Sequence, residues 1–312
     1  MSLMPVCELW IPNQDGTALQ LVNASYTGYE SFKEISRDIT FASGEGLPGR
    51  VWSTGLPEVM TALDTPASFV RARAAEEAGL SAGLGLPIVQ NGAVTAVLTF
   101  LYSQGPEPSG IMEVWEPNQE RTSLVWRSGF YGRLDDVKEA SKSTEFAFDQ
   151  GLPGQVWKSK LPMLIPSLWP TSDFARDEVA AVVGLTTGLA IPVVDGDSVR
   201  AVATLLSTSD MPFAKVMEIW LPNEDNTALR RESGYYGRYS AFLDPQTLPT
   251  FAHGEGLPGQ VWASGVPQLI APLDEQSGFA RYQAAQSVDL TMAVGIPIIA
   301  DGEVTAVVLM LD

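Results

Sequence analysis

The stretch Phe41-Ala42-Ser43-Gly44-Glu45-Gly46-Leu47-Pro48-Gly49-Arg50-Val51-Trp52 decides the fold, because the chain carries it three times. It returns as Phe146 to Trp157 and as Phe251 to Trp262, each copy 105 positions after the one before. Glycines beside a proline mark a tight turn that opens a short helix. Gly55 and Gly265 stand where a C-cap glycine belongs. Lys160 holds that place in the second copy, so a different cap is expected there.

The same interval extends outward in both directions. It separates Trp10, Trp115 and Trp220, then Leu80, Leu185 and Leu290, then Pro87, Pro192 and Pro297. Loops take insertions at little thermodynamic cost. Register kept through every loop therefore points either to a recent triplication or to copies that must superpose in one assembly. A period of this length is a domain, not a solenoid unit. The expected domains are residues 4–105, 106–210 and 211–312.

Each copy opens on a strand. In Cys7-Glu8-Leu9-Trp10, and in its counterparts Met112 to Trp115 and Met217 to Trp220, alternation puts Glu and Trp on one face and two apolar residues on the other. A turn at Pro12-Asn13 leads to a second strand through Leu19-Gln20-Leu21-Val22. After the glycine block, Ser68 is placed to cap a helix rich in alanine that Gly79 stops. The copy closes on a hairpin, Gly83 to Val89 and Val94 to Leu101, turning at Gln90-Asn91-Gly92.

The order strand–strand–helix–helix–strand–strand, with the Gly-Glu-Gly-Leu-Pro-Gly-x-Val-Trp block and the Phe-x-Arg…Ala…Leu…Pro ending, resembles a GAF domain three times over. The resemblance implies an α+β fold, each copy a mainly antiparallel sheet with short helices on one face. It also implies a ligand space between the sheet and the helical layer of about residues 41–52 and 69–80. The residues placed to line it are Trp52, Phe69 and Arg71, then Trp157, Phe174 and Arg176, then Trp262, Phe279 and Arg281.

One departure matters. GAF domains usually carry helices at both ends, behind the sheet. Here the connectors are about nine residues long, and the first holds Gly105, Pro106, Pro108 and Gly110, which forbid a helix. Yet closing strands such as Ala306 to Leu311 are apolar on both faces, as strands buried on both sides are. The sheet backs are therefore expected to pack on one another, within the chain or across a homodimer. Short connectors also permit a permuted arrangement, in which the last strand of one copy pairs with the first of the next.

Several constellations have a bland reading beside a sharp one. Gly44-x-Gly46-x-x-Gly49 spells the dinucleotide fingerprint, but Pro48 removes an amide, Glu45 repels phosphate and the second copy has Asp149 for the first glycine. A structural turn is the better reading. His253 faces Ser43 and Phe148 in the other copies, so no shared catalytic or metal role follows. Cys7 aligns with Met112 and Met217 and reads as a core thiol. A single cysteine leaves no place for the bilin attachment or the redox cysteines that some GAF proteins use, and no Ser-His-Asp set recurs. No catalysis, cofactor or metal is expected. Arg71, Arg176 and Arg281 suit a carboxylate or phosphate, or an ion pair with Glu8, Glu113 and Glu218. The pair is preferred, as is an anchoring role for the tryptophans of the glycine block.

The 19 basic and 37 acidic residues give a formal charge of −18, which disfavours nucleic acid and anionic lipid as partners. No apolar run reaches the ~18 residues of a membrane span, and Met1 to Pro5 lacks the regions of a secretory signal. A cytoplasmic location is expected. The functional expectation is a small-molecule-binding or sensory protein that signals through contact with a protein partner. The alternative is a structural scaffold without ligand.

Overall fold

The computed structural model describes residues 5–61, 63, 70–103, 110–168, 184–243 and 249–312. Ser68, Phe69, Phe174 and Arg176 lie outside the described residues, as does the first connector's 104–109 segment.

The first repeat runs β1 (Val6–Pro12), β2 (Ala18–Ser25), α1 (Glu30–Ser36), β3 (Thr40–Ala42), α2 (Gly46–Thr54), β4 (Glu58–Met60), α3 (Ala72–Glu77), β5 (Leu80–Gln90) and β6 (Ala93–Ser103). Its six strands form one antiparallel sheet in the order β3-β2-β1-β6-β5-β4. The second and third repeats build the same sheet from Gly110–Pro117 to Ser198–Ser207 and from Val216–Pro222 to Glu303–Leu311. In every repeat the last strand pairs with its own first strand, Val6 opposite Leu101 and Val216 opposite Leu311. The permuted arrangement does not occur.

Alternation along each strand divides the side chains between two cores. Val6 and Trp10 face the short helices of their own repeat, and the fully buried Glu8 lies on that face too, beside Trp10. Cys7 and Leu9 face the other way, into a core shared by all three repeats. Met112, Val114, Met217 and Ile219 enter the same shared core, joined by Leu98, Phe100, Ala203, Leu205, Val308 and Met310 from the closing strands. The sheet backs thus cover one another within the chain, which is why strands apolar on both faces need no flanking helices.

The packing closes into a cycle. Asn23 donates through Nδ2 to the Leu269 carbonyl at 2.7 Å, and the Val59 amide reaches Ser128 Oγ at 3.4 Å. Positions 23 and 128 are equivalent, as are 59 and 269, so repeat one grips repeat two as repeat three grips repeat one. At the centre, Pro87-Ile88-Val89, Pro192-Val193-Val194 and Pro297-Ile298-Ile299 line one small cleft. This is pseudo-threefold packing, and it gives the constant 105-residue period a physical reason. Equivalent contacts need equivalent lengths.

Two local expectations change. The helix after the glycine block ends identically in all three repeats. Lys160 adopts the left-handed conformation (φ 58°) and donates its amide to the Val156 carbonyl, as Gly55 does to Val51. A lysine there carries a steric cost that glycine avoids. Lys160→Gly should therefore raise stability by about 1 kcal/mol in urea unfolding. The alanine-rich helix is also shorter than expected, spanning Ala72–Glu77. Among the described residues no helix is long and apolar enough to cross a membrane.

Candidate functional site

Each repeat buries one carboxylate behind its helical layer. Glu8 is fully buried and accepts from Arg71 on both oxygens, Nη2 reaching Oε2 at 3.0 Å and Nη1 contacting Oε1. Tyr26 donates to Oε1 at 2.8 Å, while Thr99 and Trp10 donate to Oε2 at 2.9 and 3.3 Å. The Arg71 side chain is 1% exposed, and Ser36 Oγ accepts from it at 2.7 Å. This arginine is sealed in.

In the third repeat Glu218 holds the same place. Arg281 clamps it through Nη1–Oε1 at 2.8 Å and Nη2–Oε2 at 2.6 Å, with Tyr236 donating at 2.7 Å and Trp220 at 3.0 Å. In the second, Glu113 accepts from Tyr131, Ser141, Trp115 and Thr204. Burial works to raise the pKa of Glu8 and Glu218. The adjacent arginine's charge and the converging donors more than offset it, so both stay below the ordinary carboxylate range. Burial and the neighbouring carboxylate push the Tyr26 and Tyr236 phenols upward, keeping them donors.

The repeats differ in what lies outside this cluster. Arg281 is 15% exposed and borders a cavity of about 430 Å3, lined also by Trp220, Arg231, Phe242, Leu243, Pro249 and Tyr282. It is mostly apolar, within the size range of small-molecule sites. Other cavities of this size lie among the described residues. One of about 520 Å3 lies between the first and second repeats, and one of about 400 Å3 lies over α1 and α3. Neither is lined by a residue that the sequence placed at a ligand.

Among the described ones of those residues, Arg281 is the one that borders these cavities. Phe279 is buried beside it, 5.9 Å from its guanidinium. Trp157 and Trp262 are buried in the cores of their own repeats and Trp52 packs against its own; Trp157 also lies against Phe148, and Trp262 against His253 with ring centroids 3.6 Å apart. The glycine block folds on itself. The Gly44 amide donates to the Gly49 carbonyl, and the Glu45 carboxylate accepts from the Ala42 amide, so these groups are already engaged.

Sequence reasoning missed Tyr26, Tyr131 and Tyr236, although they recur at the common interval. It missed Thr99 and Thr204 because the third repeat has Leu309 there, and Arg231 because nothing repeats it.

No protein-family model matches the chain, and no curated protein matches it. Solved structures similar to about a third of it include the A. aeolicus nlh2 GAF domain in an inactive state, at 26% identity, covering 32% of this chain and 58% of that one with a TM-score of 0.27. A Staphylococcus aureus NreA protein mutated in its nitrate-binding site is 20% identical, covering 33% and 75% with a TM-score of 0.27. The GAF domain/HD domain protein from Geobacter sulfurreducens is 14% identical, covering 33% and 65% with a TM-score of 0.28. The chain spans less than two thirds of the first and third of these. Its three six-stranded antiparallel sheets, with short helices on one face of each, are three GAF-like repeats.

Proposed function

We propose that the chain is a non-catalytic small-molecule-binding protein, with its ligand in the third repeat's cavity and a protein partner reading its occupancy. The carrying observation is the mostly apolar space of about 430 Å3 that opens beside the Arg281–Glu218 pair. Binding suits the chemistry better than turnover. Glu218 is held ionised by Arg281 and Tyr236 is pushed above its usual range, so neither exchanges a proton near neutral pH. In the first repeat the sealed Arg71 favours a structural role, so the scaffold reading fits that repeat while binding fits the third.

Filling the cavity tests this. Ala284 lines it, and Ala284→Trp should abolish the binding of fragments that ligand-observed NMR detects on the wild-type chain, with little change in melting temperature. Fragment binding that persists in the variant places the site elsewhere. A wild-type chain that binds no fragment favours the scaffold.

A further inference from the structure

Among the described residues the charges around the third cavity do not balance. Glu218 contributes one negative charge and Arg281 one positive, locked together. Arg231 adds a second positive charge at the cavity wall. Its Nη1 donates to the Tyr236 hydroxyl, which itself donates to Glu218, so the two arginines bracket one carboxylate. Among the described residues Arg231 has no carboxylate partner; its neighbour Arg230 takes Glu232. A half-buried guanidinium beside an apolar space is stabilised by an anion placed there. Arg281 Nε is a further buried donor without a partner.

The other repeats lack this arrangement. The position of Arg231 is Leu21 in the first and Trp126 in the second, where Trp126 donates to Tyr131 instead. The remaining wall of the third cavity includes the buried rings of Trp220 and Phe242, which Arg281 covers. It also includes the half-buried Tyr282, whose ring keeps a surface on which a flat ligand stacks.

Resting on the cavity reading above, we infer that the third repeat selects aromatic monoanions, with Arg231 rather than the internally paired Arg281 as the residue that holds the charge. The one positive charge left unbalanced among the described residues calls for one negative charge, and about 430 Å3 admits a one- or two-ring acid.

The test is calorimetric titration of the full chain with benzoate and indole-3-acetate, each against its neutral amide. The acids should bind at least about tenfold more tightly than the amides, the worth of one charged hydrogen bond. Arg231→Gln, which keeps a donor for Tyr236, and Arg231→Leu, the first repeat's residue, should both erase that preference while melting stays cooperative. Equal binding of acid and amide overturns the charge assignment but leaves the cavity reading standing. An acid preference that survives Arg231→Gln overturns the role of Arg231. Binding by neither acids nor amides overturns the aromatic-monoanion class, and the Ala284→Trp fragment comparison then decides the cavity reading on its own.

Discussion

Replacing Glu8 with leucine should destabilise the chain by about 3–5 kcal/mol, because it removes the buried carboxylate that Arg71 clamps on both oxygens while the arginine's own charge stays buried. The Arg71 side chain is 1% exposed and its guanidinium does not deprotonate in proteins. Ser36 Oγ, which also accepts from it, carries no charge. The exposed Arg73–Glu77 pair is the contrast, at 91% and 63% exposure, and losing it should cost under about 1 kcal/mol. Urea titration with an unchanged m-value measures both. Glu8→Leu combined with Arg71→Met should recover much of the loss, since no buried charge is left behind. A Glu8→Leu variant as stable as the parent would show that the buried cluster does not hold the first repeat together.

Acid should act on the same groups. Glu8 and Glu218 titrate lower in the folded chain than in the unfolded one, where a glutamate sits near about 4.3. A depressed folded value contributes stability that is complete above the unfolded value and disappears as pH falls through the folded one. Stability should therefore decline below about pH 4, and less steeply in the double variant that lacks the Glu8–Arg71 pair.

Gly49→Ala should cost about 3 kcal/mol or more. A Cβ on Gly49 would lie 2.2 Å from the Ala42 carbonyl oxygen, a backbone atom held in the sheet beside β2. Neither partner has a flexible end to move, so the helix must lift off the strand. Gly154 and Gly259 meet Ala147 and Ala252 in the same way, at 2.3 and 2.1 Å, and should behave alike. At Gly44 a Cβ meets nothing, and only the strained φ of +84° opposes alanine. Chemical denaturation of Gly49→Ala beside Gly44→Ala separates the two effects. A nucleotide cradle would instead lose binding at both positions without losing the fold at Gly49.

The repeated and the apolar parts of this architecture were legible in the sequence. Glu8 and Trp10 share a face as alternation requires, and Ala306 to Leu311 is buried on both sides because two cores claim its two faces. The helices Glu30–Ser36 and Asp135–Ser143 escaped notice because each buries only two residues, too few to set a 3.6-residue rhythm. The cap at Lys160 is not legible from its side chain, because the helix end dictates a left-handed residue whatever stands there. The repeated arginine drew attention to the site, yet its partner carboxylate consumes its charge. Arg231, which distinguishes the third repeat, has no counterpart at positions 21 and 126, so comparison by period passes over it. A repeat shows what the copies share, and selectivity lies where they part.

The most direct test of ligand binding in the third repeat is native mass spectrometry of the freshly purified full chain beside its Ala284→Trp variant. The wild-type chain should carry a reproducible extra mass, of one small molecule, which leaves on denaturation and is missing from the variant. An equal extra mass on both chains, or a bare wild-type chain even after incubation with the aromatic acids, would contradict binding in the third repeat.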